Sequence, residues 1–259
     1  TGMAFNSMNN LIKNKEEEKR QEVEVKNNIL LSSYVEGNYI EGIKIQDRSV
    51  KNRTYISKLN KEKDWVLREH KIDNNTVLSG TTYIQIILSC LKHYGVNGTI
   101  EIKEIFFLNP MLVLNNVEIR VLLSDYGDRL KFTIVSKQNE NEVNWVENAK
   151  GTLSVGDKEE NTVLDISEIN NRLIYTEDVR KVFSNDIGKI HYGPRWKNIK
   201  EIKRNDKEGL AVIKLPQEFI NDLDEFTIHP ALLDTSIGFM EKYLSSGNDY
   251  LPFAYKNMK

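Results

Sequence analysis

One cysteine, Cys90, is all that this chain of 259 residues contains. No disulfide can form within it, and a reducing cytosol is its natural compartment. No apolar run approaches the roughly 20 residues of a membrane-spanning helix, and no signal-peptide pattern opens the chain. No basic patch or tail stands out against a net charge of −2, which argues against nucleic acid or an anionic membrane as a partner. Metal-ligand spacings, a phosphate-binding glycine loop and a nucleophile elbow are also missing from the pattern. What is present is a globular composition: 39% of residues are apolar, and the length suits one large domain or two small ones with a real core.

Residues 1–50 read as a leader or linker. Asn14 to Lys26 carries dense charges of both signs and few apolar anchors, the texture of an exposed helix or linker. From Arg53 the texture changes. Tyr55 to Leu59 and Trp65 to Ile72 are expected as strands. Gly80 to Tyr94 carries a helical stripe (Tyr83, Ile84, Ile87, Leu88, Leu91) and Gly95 is a suitable stop. Cys90 falls on this helix as core packing. Thr99 to Phe107, Val117 to Leu123, Leu130 to Ser136 and Val143 to Val155 read as strands, joined by turns at 125–128 and 138–142. One helix followed by an antiparallel meander is an α+β signature.

After a polar break at 156–161 the order recurs. A short helix is expected over Thr176 to Phe183, strands over Trp196 to Ile202 and Leu210 to Leu215, and a helix from His229-Pro230 through Tyr243. The chain therefore reads as two copies of one unit, 51–156 and 157–259. After the second helix only Leu251 to Met258 remain, too few for a second meander.

Few side chains suggest chemistry. His70 sits at an apolar strand; a histidine there is by default a satisfied or surface residue. Its interest comes from Val77-Leu78-Ser79-Gly80, which leads directly into the apolar helix. The first-turn amides and dipole of that helix make an oxyanion site, and Gly80 would let a carbonyl approach the backbone closely. Ser79 has a plain reading as an N-cap. Asp234 lies four residues after Pro230 among Leu232, Leu233 and Ile237, a half-buried setting that favours a retained proton. The plain alternative is an exposed aspartate in the first turn of a helix. Tyr192-Gly193-Pro194-Arg195-Trp196 reads as a turn into a strand, and His93 and His191 have no supporting pattern.

Taken in order, these segments resemble the dehydratase domain of modular polyketide synthases over about residues 50–259. The family's His-x-x-x-Gly-x-x-x-x-Pro-Gly is matched by His70 to Gly80, with Asn74 for the glycine and Ser79 for the proline. Tyr-Gly-Pro-x-aromatic is matched by Tyr192 to Trp196. His-Pro-Ala-Leu-Leu-Asp is matched by His229 to Asp234, with Gly238 where the family has Gln or His. Leu251-Pro252-Phe253 resembles a further strand signature, and the family has about three more strands beyond it.

The resemblance implies a double hotdog, two strand–helix–meander units with antiparallel sheets around a central helix each. It implies elimination of water from a β-hydroxyacyl thioester, with His70 as base and Asp234 as acid. Gly80 would stabilise the enolate-like charge, and Tyr192 would contact substrate or orient the site. The domain itself would need no cofactor. Its substrate would arrive on the phosphopantetheine of an acyl carrier protein, beside neighbouring synthase domains, with homodimerisation left open. Two alternatives stand beside this reading. Relatives with altered signatures shift the enoyl double bond or close a pyran ring, and the retained Asp234 favours dehydration or cyclisation over isomerisation. A catalytically silent docking domain is the other.

Overall fold

In a computed structural model of the chain, the described residues are 22–26, 28, 30–36, 51–138, 144–156, 163–181, 190–240 and 252–259. The organising element is one buried helix, α2, and it is preceded by a short run of strands. These are β1 (Val23–Glu24), β2 (Ser33–Glu36), β3 (Lys51–Asn60), the single-turn helix α1 (Trp65–Arg68), β4 (His70–Ile72) and β5 (Asn75–Thr76). Helix α2 spans Gly80–Tyr94, the limits read from sequence, because both ends are chemically marked. Ser79 adopts φ −66° and its side chain accepts from the Thr82 amide, while Gly95 closes the helix at φ +91°, a left-handed conformation that glycine adopts without strain. Every residue from Thr81 to Leu91 is buried, so α2 is enclosed on all sides rather than along the expected stripe alone.

The enclosing sheet is completed by β6 (Thr99–Phe107), β7 (Asn116–Asp125), β8 (Leu130–Lys137) and β9 (Val146–Gly156). Its inward faces are the alternating positions of the strands: Val117, Ile119, Val121 and Leu123 on β7, and Leu130, Phe132 and Ile134 on β8, all buried. The β7–β8 hairpin turns at 125–128 as expected, with Gly127 at φ +90°. In β6 the apolar spacing slips from two to three between Ile102 and Ile105, and the register against β9 shifts between Ile102 and Glu104. The bulge returns Ile105 to the core face.

The remaining elements are α3 (Ile166–Arg172), β10 (Tyr175–Thr176), β11 (Ile190–Tyr192), β12 (Ile199–Arg204), β13 (Gly209–Ile213), α4 (Pro230–Gly238) and β14 (Ala254–Met258). The large sheet runs β1-β2-β3-β7-β8-β9-β6-β14, and two three-stranded sheets run β10-β12-β13 and β11-β4-β5. All pairings are antiparallel. This is the expected α+β arrangement. Helix α4 packs on α2 and on β13, which brings the second half of the chain against the start of α2. Among the described residues no helix is long and apolar enough to cross a membrane.

Several local expectations are corrected. Trp65 to Ile72 is not one strand: Trp65–Arg68 is a helical turn that buries Trp65, Val66 and Leu67 together, and only His70–Ile72 is a strand. The short helix expected over Thr176 to Phe183 is replaced by β10 and a 3₁₀ turn at Val179–Lys181; residues 182–189 lie outside the described ones. The regular helix nearby is α3, where Asp165 caps the Glu168 amide at 3.0 Å, an N-terminal signal of the Asp-x-x-Glu kind. Trp196 to Ile202 begins as a 3₁₀ turn, Pro194–Trp196, before β12. Residues 139–143 and 241–251, parts of an expected turn and helix, also lie outside the described residues.

Two observations bear on the expected division of the chain. Within the stretch read as a leader, β2 pairs with β3, and Leu30, Leu31 and Val35 are buried. At the other end β14 pairs with β6, so the last strand extends the sheet around α2.

Candidate active site

The hairpin that carries His70 is built by its two turn residues. Asp73 and Asn74 have φ +48° and +65°, and Ile72 faces Asn75 across a two-residue loop. Positive φ at both central positions is the requirement of a type I′ turn, and asparagine is the side chain that tolerates it best after glycine. Asn74 therefore keeps the backbone that the family glycine would give. Ser79 does the same for the family proline, since its φ of −66° is the angle to which proline is locked, and its hydroxyl adds a helix cap.

His70 is buried. Its Nδ1 lies 2.8 Å from the carbonyl oxygen of Val77. A carbonyl can only accept, so Nδ1 carries the hydrogen and Nε2 of the neutral ring holds the lone pair. The hairpin thus selects the tautomer as well as the position of the ring.

Beside β4 runs β11, with Tyr192 opposite His70. The Tyr192 ring stands 5.7 Å from the His70 ring and stacks on Trp196 at 6.0 Å and 19°. The turn that follows is more than turn chemistry. The Gly193 amide donates to the Glu69 carbonyl at 2.7 Å. A Cβ at Gly193 would lie 2.4 Å from Cβ and Cγ of Glu69, so only glycine permits this approach. Glu69 is buried; it accepts from the Arg195 amide at 2.9 Å and from the Arg195 guanidinium. Arg195 also donates to Asp222 at 2.6 Å and lies over the Trp65 and Phe219 rings. This ion cluster joins the residue before His70 to the Tyr-Gly-Pro segment.

Asp234 lies on α4, half-buried. Its Oδ2 accepts from Trp196 Nε1 at 2.8 Å, and its Oδ1 lies 3.5 Å from the Thr81 hydroxyl on α2. The α4 segment is tied to the Trp196 turn by Asn198, whose side-chain amide donates to the carbonyls of Ala231 and Arg195 at 3.1 and 3.0 Å.

His70, Tyr192, Gly80 and Asp234 all line one cavity of about 770 Å³. Its walls are largely apolar, with Ile72, Phe107, Ile190 and Ile237 among them. The four candidates picked from sequence thus meet in a single space of the size that takes a small ligand. The bare Cα of Gly80 has a further reason: a Cβ there would lie 3.1 Å from the Phe107 ring. Cys90 is fully buried in the core, where burial pushes its thiol up and keeps it inert. Glu69, Thr81, Arg195 and the indole nitrogen of Trp196 escaped the sequence reading. Only the tryptophan left a signal there, as the aromatic of the Tyr-Gly-Pro-x-aromatic run that carries an N–H.

His229, the N-cap residue of α4, is not among the residues that line the cavity. It stacks on Trp65 at 5.0 Å and 12°, is buried, and has Asp222 Oδ2 3.6 Å from Nε2, beyond good hydrogen-bond length. Burial holds its proton affinity below the ordinary value of 6.5, outweighing the opposing pull of Asp222. The neutral ring is the native form. Its contribution is therefore complete above the unfolded-state pKa and is lost as pH falls below it. The melting temperature is expected to drop as pH falls below the ordinary histidine value of 6.5, and to drop less steeply in His229→Phe. Equal slopes in the two proteins would contradict this assignment.

Comparisons with known proteins bear on the family and the fold. The model described as polyketide synthase dehydratase domain matches residues 42–137, and that described as polyketide synthase dehydratase N-terminal domain matches 176–259. Polyketide synthase PksM of Bacillus subtilis is 22% identical over 215 residues, 75% of this chain. Polyketide synthase PksR of the same organism is 21% identical over 239 residues, 88% of the chain. The matches span only 5% and 9% of those two relatives. Among solved structures, the dehydratase domain from the CurF module of curacin polyketide synthase superimposes with a TM-score of 0.75 at 18% identity, covering 90% of this chain and 82% of that one. The dehydratase domain from the terminal module of the rifamycin polyketide synthase gives 0.73 at 21%, covering 91% and 82%. The fold is thus the double hotdog of these domains, and the chain belongs to the polyketide synthase dehydratase domain family.

Proposed function

We propose that this domain eliminates water from a β-hydroxyacyl thioester carried on the phosphopantetheine arm of an acyl carrier protein. The observation that carries the reading is the pair His70 and Asp234 on one apolar cavity, the first with Nε2 left as a base by the Nδ1 bond to Val77. His70 Nε2 takes the proton from the α-carbon, and charge moves onto the thioester carbonyl. The Gly80 amide, in the first turn of α2, faces that developing charge. Protonated Asp234 delivers its proton to the β-hydroxyl as the C–O bond breaks. The α–β double bond forms and water leaves, so atoms and charges balance. Apolar walls suit an acyl chain, and exclusion of water strengthens each polar contact in the cavity. The homologues are parts of multidomain synthases, which supports neighbouring synthase domains as partners.

The test is direct. The domain is incubated with a β-hydroxyacyl carrier protein and the acyl group is followed by mass. Loss of one water that requires His70 and Asp234 supports dehydration. An inert hydroxyacyl substrate with a rearranged or ring-closed enoyl product would replace this reading with isomerisation or cyclisation. No conversion of either would leave a silent docking domain.

A further inference from the structure

Asp234 takes its orientation from outside its own helix. The indole Nε1–H of Trp196 donates to Oδ2 at 2.8 Å, and the Thr81 hydroxyl faces Oδ1 at 3.5 Å. One turn further along α4, Gly238 offers no side chain, and a Cβ there would meet nothing within 4 Å. A side chain at that position would lie on the same face as Asp234; here that face is open to the cavity.

The chemistry of the two partners differs. An indole N–H only donates, so Oδ2 must present a lone pair to it whether or not the carboxyl is protonated. A hydroxyl both donates and accepts, so Oδ1 can keep Thr81 as a neighbour in either state. Thr81 is itself held: its Oγ1 lies 3.0 Å from Ser79 Oγ, which also lies 2.8 Å from Thr82 Oγ1. Trp196 is held more firmly still. It is 1% exposed and packs edge-on against Trp65 at 5.8 Å, and its turn is tied to α4 through Asn198.

We infer that Trp196 is a positioning residue that fixes Oδ1 as the proton-bearing oxygen of Asp234, in place of a side chain at position 238. The assignment rests on the dehydration reading above and extends it. It gives Asp234 what the Val77 carbonyl gives His70: a partner with a single hydrogen-bonding role that decides which atom reacts. Ser79, which fills the place of a proline, serves the same end by setting the Thr81 hydroxyl.

Trp196→Phe keeps an aromatic ring and removes the donor. A carboxyl free to rotate loses its alignment with the leaving group, so kcat for water loss is expected to fall about 100-fold with KM changed less than about threefold. Adding Gly238→Gln to that variant places a carboxamide one turn from Asp234 and is expected to recover about tenfold of the lost kcat. A purely structural role for Trp196 predicts the opposite pattern: a lowered melting temperature that tracks the activity loss and is not repaired by Gly238→Gln. A second measurement does not depend on turnover. Of the three tryptophans, the indole N–H resonance of Trp196 should shift on Asp234→Ala while that of Trp145 stays fixed. Wild-type kcat in Trp196→Phe, failure of Gly238→Gln to restore any activity, or an indole resonance indifferent to Asp234→Ala would each overturn the assignment. If the wild-type domain dehydrates nothing, the functional reading fails, and the indole resonance still decides whether Trp196 holds Asp234.

Discussion

Replacing His70 with glutamine is expected to lower the rate of enoyl-thioester formation by about 10²–10⁴-fold, the range of a positioned general base. Binding should survive, because the cavity walls are contributed by other residues. Asp234→Asn is expected to fall in the same range for the same reason. Asparagine can still accept from Trp196 but has no proton to deliver at physiological pH. The double variant should be no slower than the worse single one, because the two groups act in one elimination and their effects do not add. Initial rates of enoyl product under saturating substrate check all three. Turnover unchanged in His70→Gln would remove the base from the proposed mechanism. A double variant far slower than either single variant would mean that the two residues serve separate steps.

The largest expected effect on stability comes from Arg195→Met. The change leaves two carboxylates, Glu69 at 5% side-chain exposure and Asp222, without the one guanidinium they share, and among the described residues only the Arg68 cation, at 3.9 Å, remains beside Glu69. Removing one partner of a buried ion pair costs about 3–5 kcal/mol, because the surviving charge stays desolvated. Urea denaturation measures it directly. Replacing both partners, Glu69→Gln with Arg195→Met, should recover much of the loss, because a neutral amide is far cheaper to bury than an uncompensated carboxylate. The consequence for activity follows from the fold. Glu69 precedes His70, and its main chain receives the Gly193 amide, so a loosened cluster also loosens β11 against β4. A single variant as stable as wild type would refute the view that this cluster holds the two halves of the site together.

Much of the local structure was legible because its signals are local. Ser79 and Gly95 mark the ends of α2 within one turn of each limit. The strand at Thr99 to Phe107 was read with its limits, and the bulge between Ile102 and Glu104 within it is seen only in the pairing with β9. Where local signals misled, packing had overridden them. Trp65-Val66-Leu67 has strand-forming residues, but the chain closes a single helical turn there that buries all three. Asn74 stood out as a departure from a family glycine, yet its φ of +65° makes it a conservative replacement. The departure at Gly238 was equally visible, whereas the hydrogen bond from Trp196 to Asp234 was not, although the aromatic itself stood in the Tyr-Gly-Pro-x-aromatic run.

The sequence by itself determined the limits of α2, most of the alternating strands, the 125–128 hairpin turn and which residues were candidates for proton transfer. These depend on periods of two and 3.6 residues and on side chains that cap or turn the backbone nearby. Tertiary structure decided the rest. The Trp196–Asp234, Arg195–Glu69 and Thr81–Asp234 contacts join residues 38, 126 and 153 positions apart, and no sequence period spans such distances. It decided that β14 closes on β6 and that β11 lies beside β4. It also decided the partners of His70 Nδ1 and of the two Asp234 oxygens, which come from elsewhere in the chain.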